Sequence, residues 1–311
     1  MPAAMIQNRP SRAIALKLTA VFLFMVMAAM IKAAVEDVPP GQAVFYRSLF
    51  ALPIIVGWLA ARGELSTGFR TANPWGHIWR GLFGTSAMAL TFAGLGLLPL
   101  PEVTAIGYAT PIFTVVLAAV MLGERIRLIR ITAVGLGLFG VMVVIWPRLS
   151  ADRWTEGASL GALMILAAAL LRALVQIHIR RLVQGESTSA IVFYFSVTAT
   201  LLSLLTAPFG WVWPAPLALS LLIGAGLLGG VAQILVTSSY RYGAASMLAP
   251  FDYASLIFAA AIGYVVFNES VTGQMVVGAA LVVAGGALII WRERQLGLER
   301  GKARQVTDPK G

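Results

Sequence analysis

Residues 105–126 read AIGYATPIFTVVLAAVMLGERI and residues 250–271 read PFDYASLIFAAAIGYVVFNESV, two versions of one segment. At a constant offset of 145, Tyr108 falls on Tyr253, Ile112-Phe113 on Ile257-Phe258 and Glu124 on Glu269. The same offset carries Gly140 onto Gly285 and Trp146 onto Trp291. A weaker match at offset 148 sets VFYRS (44–48) against VFYFS (192–196). Loops absorb a shift of that size, so the chain reads as a tandem duplication.

What is duplicated is apolar. Of the 311 residues 59% are hydrophobic and 12% are Asp, Glu, Lys or Arg, with a mean hydropathy of +0.85. A soluble domain carries roughly 25% charged residues, and its surface cannot be covered by side chains this apolar. A bilayer removes that requirement. The formal charge of +10 is spread between apolar runs and over the tails, the pattern of membrane loops rather than of a continuous nucleic-acid-binding face. With no cysteine, and with His77 and His178 as the two histidines, disulfides, iron–sulfur clusters and a structural metal site are not expected. No cofactor is implied. The first apolar segment is too long for a cleavable signal and reads as a retained span.

A helix needs about 20 residues to cross the hydrocarbon core. The candidate spans are 14–34, 43–61, 78–98, 102–122, 128–146, 158–178, 188–207, 217–239, 244–267 and 272–291. Near the span ends, 19 Lys and Arg fall on the side of the termini, Lys17, Arg80 and Arg172 among them. Only 4 fall opposite: Lys32, Arg47, Arg148 and Arg153. This positive-inside asymmetry predicts both termini in the cytoplasm and an even span number. The expected organisation is a tail (1–13), a first five-helix repeat (14–146), a periplasmic connector (147–157), a second repeat (158–291) and a basic tail (292–311). The predicted fold is all-α and polytopic. A unit of five spans repeated in tandem enters the membrane from opposite sides, and inverted repeats let one central site open to each side in turn.

Polar residues inside such helices are candidates for function. Asp252, about nine residues into span nine, suits proton coupling, a cation counter-charge or a hydrogen bond to substrate; pairing with an arginine such as Arg172 is the structural alternative. Arg172 can bind an anionic or carbonyl group, pair with Asp252 or snorkel to the interface. Gln176 and Gln233 can line a cavity or join helices. Arg47 and Lys32 can attract substrate, or gate the outer side with Glu36, Asp37 or Glu102. Tyr108, Phe193, Tyr194, Phe251 and Tyr253 can stack on a planar substrate or simply pack. Thr85, Ser86 and Thr91 are weaker candidates because their hydroxyls can satisfy helix carbonyls. Glu124 and Glu269 read as anchors of repeated helix ends. Pro111 and Pro250 locate bends, and the many glycines allow close packing in lipid. No phosphate-binding loop and no potassium-filter segment is present, which leaves secondary transport.

FYRSLFALP at 45–53, MLGERI at 121–126 with its following Gly-rich helix, and YVVFNESV at 264–271, in this order over residues 14–291, resemble the drug/metabolite transporter superfamily in its EamA-like two-repeat form. The resemblance implies ten helices, inverted repeats, a central cavity, alternating access and small organic substrates, with import in some members and export in others. It places the family's FYRS arginine on Arg47 and its helix-end glutamates on Glu124 and Glu269. Phe195 stands at the second repeat's equivalent of Arg47, so any direct role there is asymmetric. Within the family the chain looks closest to riboflavin or S-adenosylmethionine uptake branches. The leading expectation is a bacterial inner-membrane secondary transporter importing riboflavin or a related aromatic metabolite. Its expected partners are the solute, lipid and protons as coupling ions, and it is expected to act as a monomer, with a dimer open. The alternatives are an exporter of amino acids or cationic aromatic drugs, and a non-transporting scaffold or receptor. An enzyme is not expected, since no acid–base constellation appears.

Overall fold

Proline recurs where helices must begin. Pro40, Pro74 and Pro216 each occupy the first position of a helix, where a missing N–H costs nothing and a fixed φ helps. The computed structural model describes residues 10–122, 128–149, 157–182, 185–242 and 248–306. Their regular structure is helical: α1 (Pro10–Ala34), α2 (Pro40–Ala61), α3 (Leu65–Gly68), α4 (Pro74–Leu97), α5 (Leu100–Gly107), α6 (Ala109–Leu122), α7 (Leu128–Leu149), α8 (Ala158–Leu182), α9 (Thr188–Leu204), α10 (Pro216–Tyr242), a 3-10 segment (Ala249–Tyr253), α11 (Ala254–Phe267) and α12 (Gly273–Val306). Glu124 lies outside the described residues. The short α3 sits in a loop, α5 and α6 make one span, and the 3-10 segment and α11 make another, giving ten. We call the membrane face where α1 begins the N face, and the other the far face.

Among the described residues, four helices carry a stretch long and apolar enough to cross a bilayer unaided: Ser11–Ala34, Pro40–Ala61, Ala158–Ile179 and Pro216–Val236. The remaining spans are broken, carry a shorter apolar stretch or, like the 24-residue α4, are long enough but less apolar, and cross as members of the bundle. Val265 is 79% exposed and Trp213 93% exposed, surfaces that suit lipid and its interface rather than water. The basic stretch 292–306, expected as a tail, continues α12; Glu, Arg, Lys, Gln and Leu are all good helix formers.

The packing is that of an inverted repeat. α1 packs along α10 as α8 packs along α4, and α10 packs on α2 as α4 packs on α9. α2 with α9, and α7 with α12, are pairs formed by equivalent spans of the two halves. The α7–α12 seam is glycine against backbone. A Cβ on Gly140 would lie 2.7 Å from Gly278 O and from Val282 N, and one on Gly285 2.8 Å from Ala133 O. These repeat-related glycines let two helices approach to backbone contact.

Spans four and nine break at equivalent points. Pro111 has no N–H to offer the carbonyl of Gly107, and the Thr110 hydroxyl donates to that carbonyl instead, at 2.8 Å. The helix stops at Tyr108, whose N–H bonds Ala105 O at 3.2 Å in 3-10 fashion, and restarts at Ala109. In the second repeat Pro250 lies in the 3-10 segment that ends at Tyr253, the counterpart of Tyr108. Both prolines thus lie beside interruptions of regular α-helix.

Candidate functional site

The two breaks meet. The Tyr108 and Tyr253 rings lie 4.9 Å apart at an interplanar angle of 36°. The Tyr108 hydroxyl donates to the backbone carbonyl of Asp252 and lies 2.7 Å from Ser255 Oγ. The Tyr253 hydroxyl points at Gly286, where a Cβ would fall 1.8 Å from it. Tyr108 borders a cavity of 230 Å³ between α1, α4, α5, α8 and α11, lined by Met25, Ala28, Thr91, Leu95, Leu100, Val103, Thr104, Gly107, Arg172 and Ser255. Most of this wall is apolar. Thr91 and Thr104 turn their hydroxyls back on the carbonyls of Ala87 and Leu100, at 2.7 and 2.9 Å. Arg172 is the charged residue on the lining. Its guanidinium lies against Gly107, where a Cβ would come within 3.3 Å of Nη2. Its Nε is buried without a hydrogen-bond partner.

Asp252 does not pair with Arg172. Its Oδ1 lies 2.7 Å from Nζ of Lys17 on α1, and the lysine is almost wholly buried. Lys17 was expected as a basic residue of the N face; seven residues into α1, it is a buried partner instead. Lys32, fifteen residues further along α1, faces Glu269 at 3.1 Å rather than Glu36, Asp37 or Glu102. Its ammonium also donates to Leu95 O (3.1 Å) and Leu98 O (2.7 Å), the last carbonyls around the end of α4, and sits 5.4 Å from the Phe267 ring. The second Glu269 oxygen accepts from Leu100 N at 2.9 Å, at the start of α5. One ion pair therefore joins four elements on the far face. Both intramembrane lysines stand on α1; of their acids, Asp252 lies inside span nine and Glu269 just beyond its end.

Arg47 and Gln233 are elsewhere. They line a second, smaller cavity among α2, α4, α9 and α10, together with Ala51, Ile55, Arg80, Val192, Phe195, Ser196, Gly229 and Gly230. Arg80, expected at the N-face interface, turns inward instead and lies 4.0 Å from the centre of the Phe195 ring.

Tyr194 is in neither lining. On the N face its ring lies 4.8 Å from that of His77, and its hydroxyl donates to Phe69 O at 2.8 Å. Phe193 packs on Phe69 at 4.4 Å. Glu186, between α8 and α9, closes this corner. Its Oε1 accepts from Thr71 Oγ1 (2.9 Å), Ala72 N (2.7 Å) and Asn73 N (2.8 Å), and Oε2 lies 3.3 Å from His77 Nε2. Burial pushes the Glu186 carboxyl up, but those donors outweigh it and hold it below its ordinary value. His178 meets Gly76 O at 2.9 Å, so both histidines reach the start of α4. Among the described residues no group of three metal-binding side chains forms. Gln176 is exposed, and accepts from Thr114 at 3.1 Å, tying α8 to α6. Phe251 is half-buried in the 3-10 segment.

Lys17, Arg80, Glu186 and Ser255 were not among the sequence candidates. Lys17 and Arg80 had been assigned to an interface, although each stands a full helical turn or more inside its helix. Phe195 carried a signal, since it is the repeat equivalent of Arg47.

The model of the EamA-like transporter family matches residues 11–146 and 159–291, the greater part of the chain. An S-adenosylmethionine uptake transporter of Rickettsia prowazekii is 26% identical over 254 residues, 82% of this chain and 84% of that one. A riboflavin transporter of Rhizobium johnstonii is 28% identical over 256 residues, 82% of each. A pseudopaline exporter, CntI, of Pseudomonas aeruginosa is 28% identical over 276 residues, 88% of this chain and 92% of that one. A crystal structure at 22% identity superposes with a TM-score of 0.64 over 92% of this chain and 99% of its own, which supports the fold. The chain belongs to the EamA-like transporter family, and is a ten-helix, multi-pass secondary transporter of small organic metabolites in a bacterial inner membrane rather than an enzyme.

Proposed function

We propose that this transporter takes up a small metabolite that places a carboxylate or carbonyl oxygen on Arg172 and an apolar or aromatic body against Tyr108 and the α1–α5 wall. The observation that carries this reading is a half-buried arginine on the lining of the central cavity, its Nε buried without a hydrogen-bond partner and no acidic side chain among the described lining residues. A guanidinium offers a planar fork to oxygen acceptors, and its positive charge opposes a simple cation. That weighs against a cationic aromatic drug. Riboflavin or a related aromatic metabolite is the first solute to test and S-adenosylmethionine the second, since relatives are named for their transport. Amino-acid export is the second reading, and an exporter among the relatives favours testing direction openly.

The cavity of 230 Å³ is smaller than the roughly 300–1,000 Å³ usual for small-molecule sites. It lies between a paired lysine towards each face. We place the N face, with both termini, in the cytoplasm, from the distribution of Lys and Arg. Asp252 is the coupling group of this reading: protonation of its carboxyl would release Lys17.

Proteoliposome counterflow tests substrate and coupling separately. Preloaded riboflavin, S-adenosylmethionine, amino acids and cationic aromatics are each challenged with labelled solute, with and without an imposed pH gradient. One of the first two should exchange without ATP. Arg172→Gln should raise KM about tenfold or more, by loss of a charge-assisted pair. Folded protein that exchanges none of the panel, or an Arg172→Gln variant with unchanged KM, would overturn the reading.

A further inference from the structure

The interior of this bundle treats its cations in two ways. Lys17 and Lys32 each face a carboxylate. Arg47 and Arg80 instead share a cavity with no acidic side chain among its described lining residues, and the Nε of each is buried without a hydrogen-bond partner. A cation at this depth is costly unless it is paired or faces a polar cavity, and two of like sign on one cavity repel as well.

The local structure is nevertheless shaped around both groups. A Cβ on Gly84 would lie 2.7 Å from Arg80 Nη1, and one on Gly229 3.3 Å from Arg47 Nε and Nη2. Glycine at these points gives the guanidinium groups their room. Arg80 is held over the Phe195 ring by a cation–π contact. Phe195 is the repeat equivalent of Arg47 and Ser196 that of Ser48, so positions related by the duplication meet at this cavity. Where the second repeat lacks an arginine, Arg80 supplies one from α4. Ser196 and Gln233 add neutral polar groups; the serine hydroxyl donates to Val192 O at 3.1 Å and keeps its lone pairs free.

We propose that Arg47 and Arg80 form an anion-binding subsite, separate from the Arg172 cavity, that takes one small monovalent anionic group, a carboxylate tip or a halide. Two arginines on one lining offer guanidinium donors suited to the oxygens of a carboxylate. The cavity volume of 10 Å³ is at the lower limit for a single water-sized atom, so it admits one anionic atom with slight movement of the lining and excludes a whole metabolite. The anion replaces the carboxylate that the two lysines have and these arginines lack. This inference concerns binding, and holds whichever solute crosses.

The test is thermal unfolding of the full chain in lipid nanodiscs as chloride or formate replaces the bulky sulfonate 2-(N-morpholino)ethanesulfonate at constant ionic strength. Wild type and Arg172→Gln should show a saturable rise in Tm. In Arg47→Gln and Arg80→Gln the half-saturating concentration should rise about tenfold or more. Arg47→Lys and Arg80→Lys keep the charge, guard against variants that fail to fold, and should fall between. Chloride added to the counterflow assay separates the sources of the anion. Competitive inhibition assigns the subsite to a carboxylate of the solute, and acceleration assigns it to a free ion bound alongside. A wild-type Tm independent of both anions, or a dependence unchanged in Arg80→Gln, overturns the proposal.

Discussion

Lys32 and Glu269 lie 3.1 Å apart at the far face, and each also holds backbone: the ammonium gathers two carbonyls at the end of α4, the carboxylate the first N–H of α5. Breaking a buried pair by removing one partner costs about 3–5 kcal/mol, because the survivor keeps an uncompensated charge. Lys32→Met should therefore destabilise the protein by that order, and more than Glu269→Gln, which leaves an amide oxygen able to accept from Leu100. The sequence has no cysteine, so a single Thr104→Cys on the cavity wall is an unambiguous probe. Its labelling by a membrane-impermeant thiol reagent from the far face should speed up when Glu269→Gln is added. Equal labelling rates would show that the pair does not restrict access.

The α7–α12 seam predicts position-dependent effects of one methyl group. Gly140→Ala and Gly285→Ala put a Cβ against backbone that has no rotamer with which to yield, so each should cost about 1–3 kcal/mol. Gly135→Ala on the same helix meets nothing within 4 Å and should be neutral or slightly stabilising. Thermal unfolding in one detergent compares the three directly.

Glu186 gives a pH signature. Its folded-state pKa is depressed, so its contribution to stability is fully present above the ordinary Glu value of about 4.3. It fades as pH falls through the lower folded-state value. Glu186→Gln should thus be less stable than wild type at pH 7, with the gap closing on acidification below pH about 4. A stability difference independent of pH would assign the effect to packing alone.

Asp252 and Lys17 test coupling. Asp252→Asn removes the titrating group and leaves the lysine unpaired, whereas Asp252→Asn with Lys17→Met removes both charges. If protonation of Asp252 drives the cycle, both variants lose the pH dependence of counterflow and the double variant regains stability. A pH profile like that of wild type in the double variant would remove Asp252 from coupling.

The architecture was legible because it rests on features local to the chain. Apolar runs of span length, the 145-residue offset and the two prolines together point to ten helices, inverted halves and interruptions in spans four and nine. The site was legible in part. Arg172, Tyr108, Tyr253, Arg47 and Gln233 are all at cavity linings or at the meeting of the breaks, whereas Tyr194, chosen as a stacking aromatic, packs on His77 at the N face. Span patterns give the depth of a residue but not its azimuth, so they cannot tell a side chain facing the cavity from one facing a neighbouring helix. Depth itself misled at Lys17 and Arg80. A long basic side chain near a span end can reach the interface or turn inward, and the choice rests on partners far along the chain, Asp252 for one and Phe195 for the other. Glu186 is not legible in the sequence, because its partners lie more than a hundred residues away.

The broken spans have a further consequence. Since span four runs from the far face and span nine from the N face, a solute arriving from either side meets a tyrosine at a helix break, and the two rings touch at the same place. A scaffold so nearly unchanged when turned upside down does not by itself set the direction of flow; the gradients of the solute and of any coupled ion do.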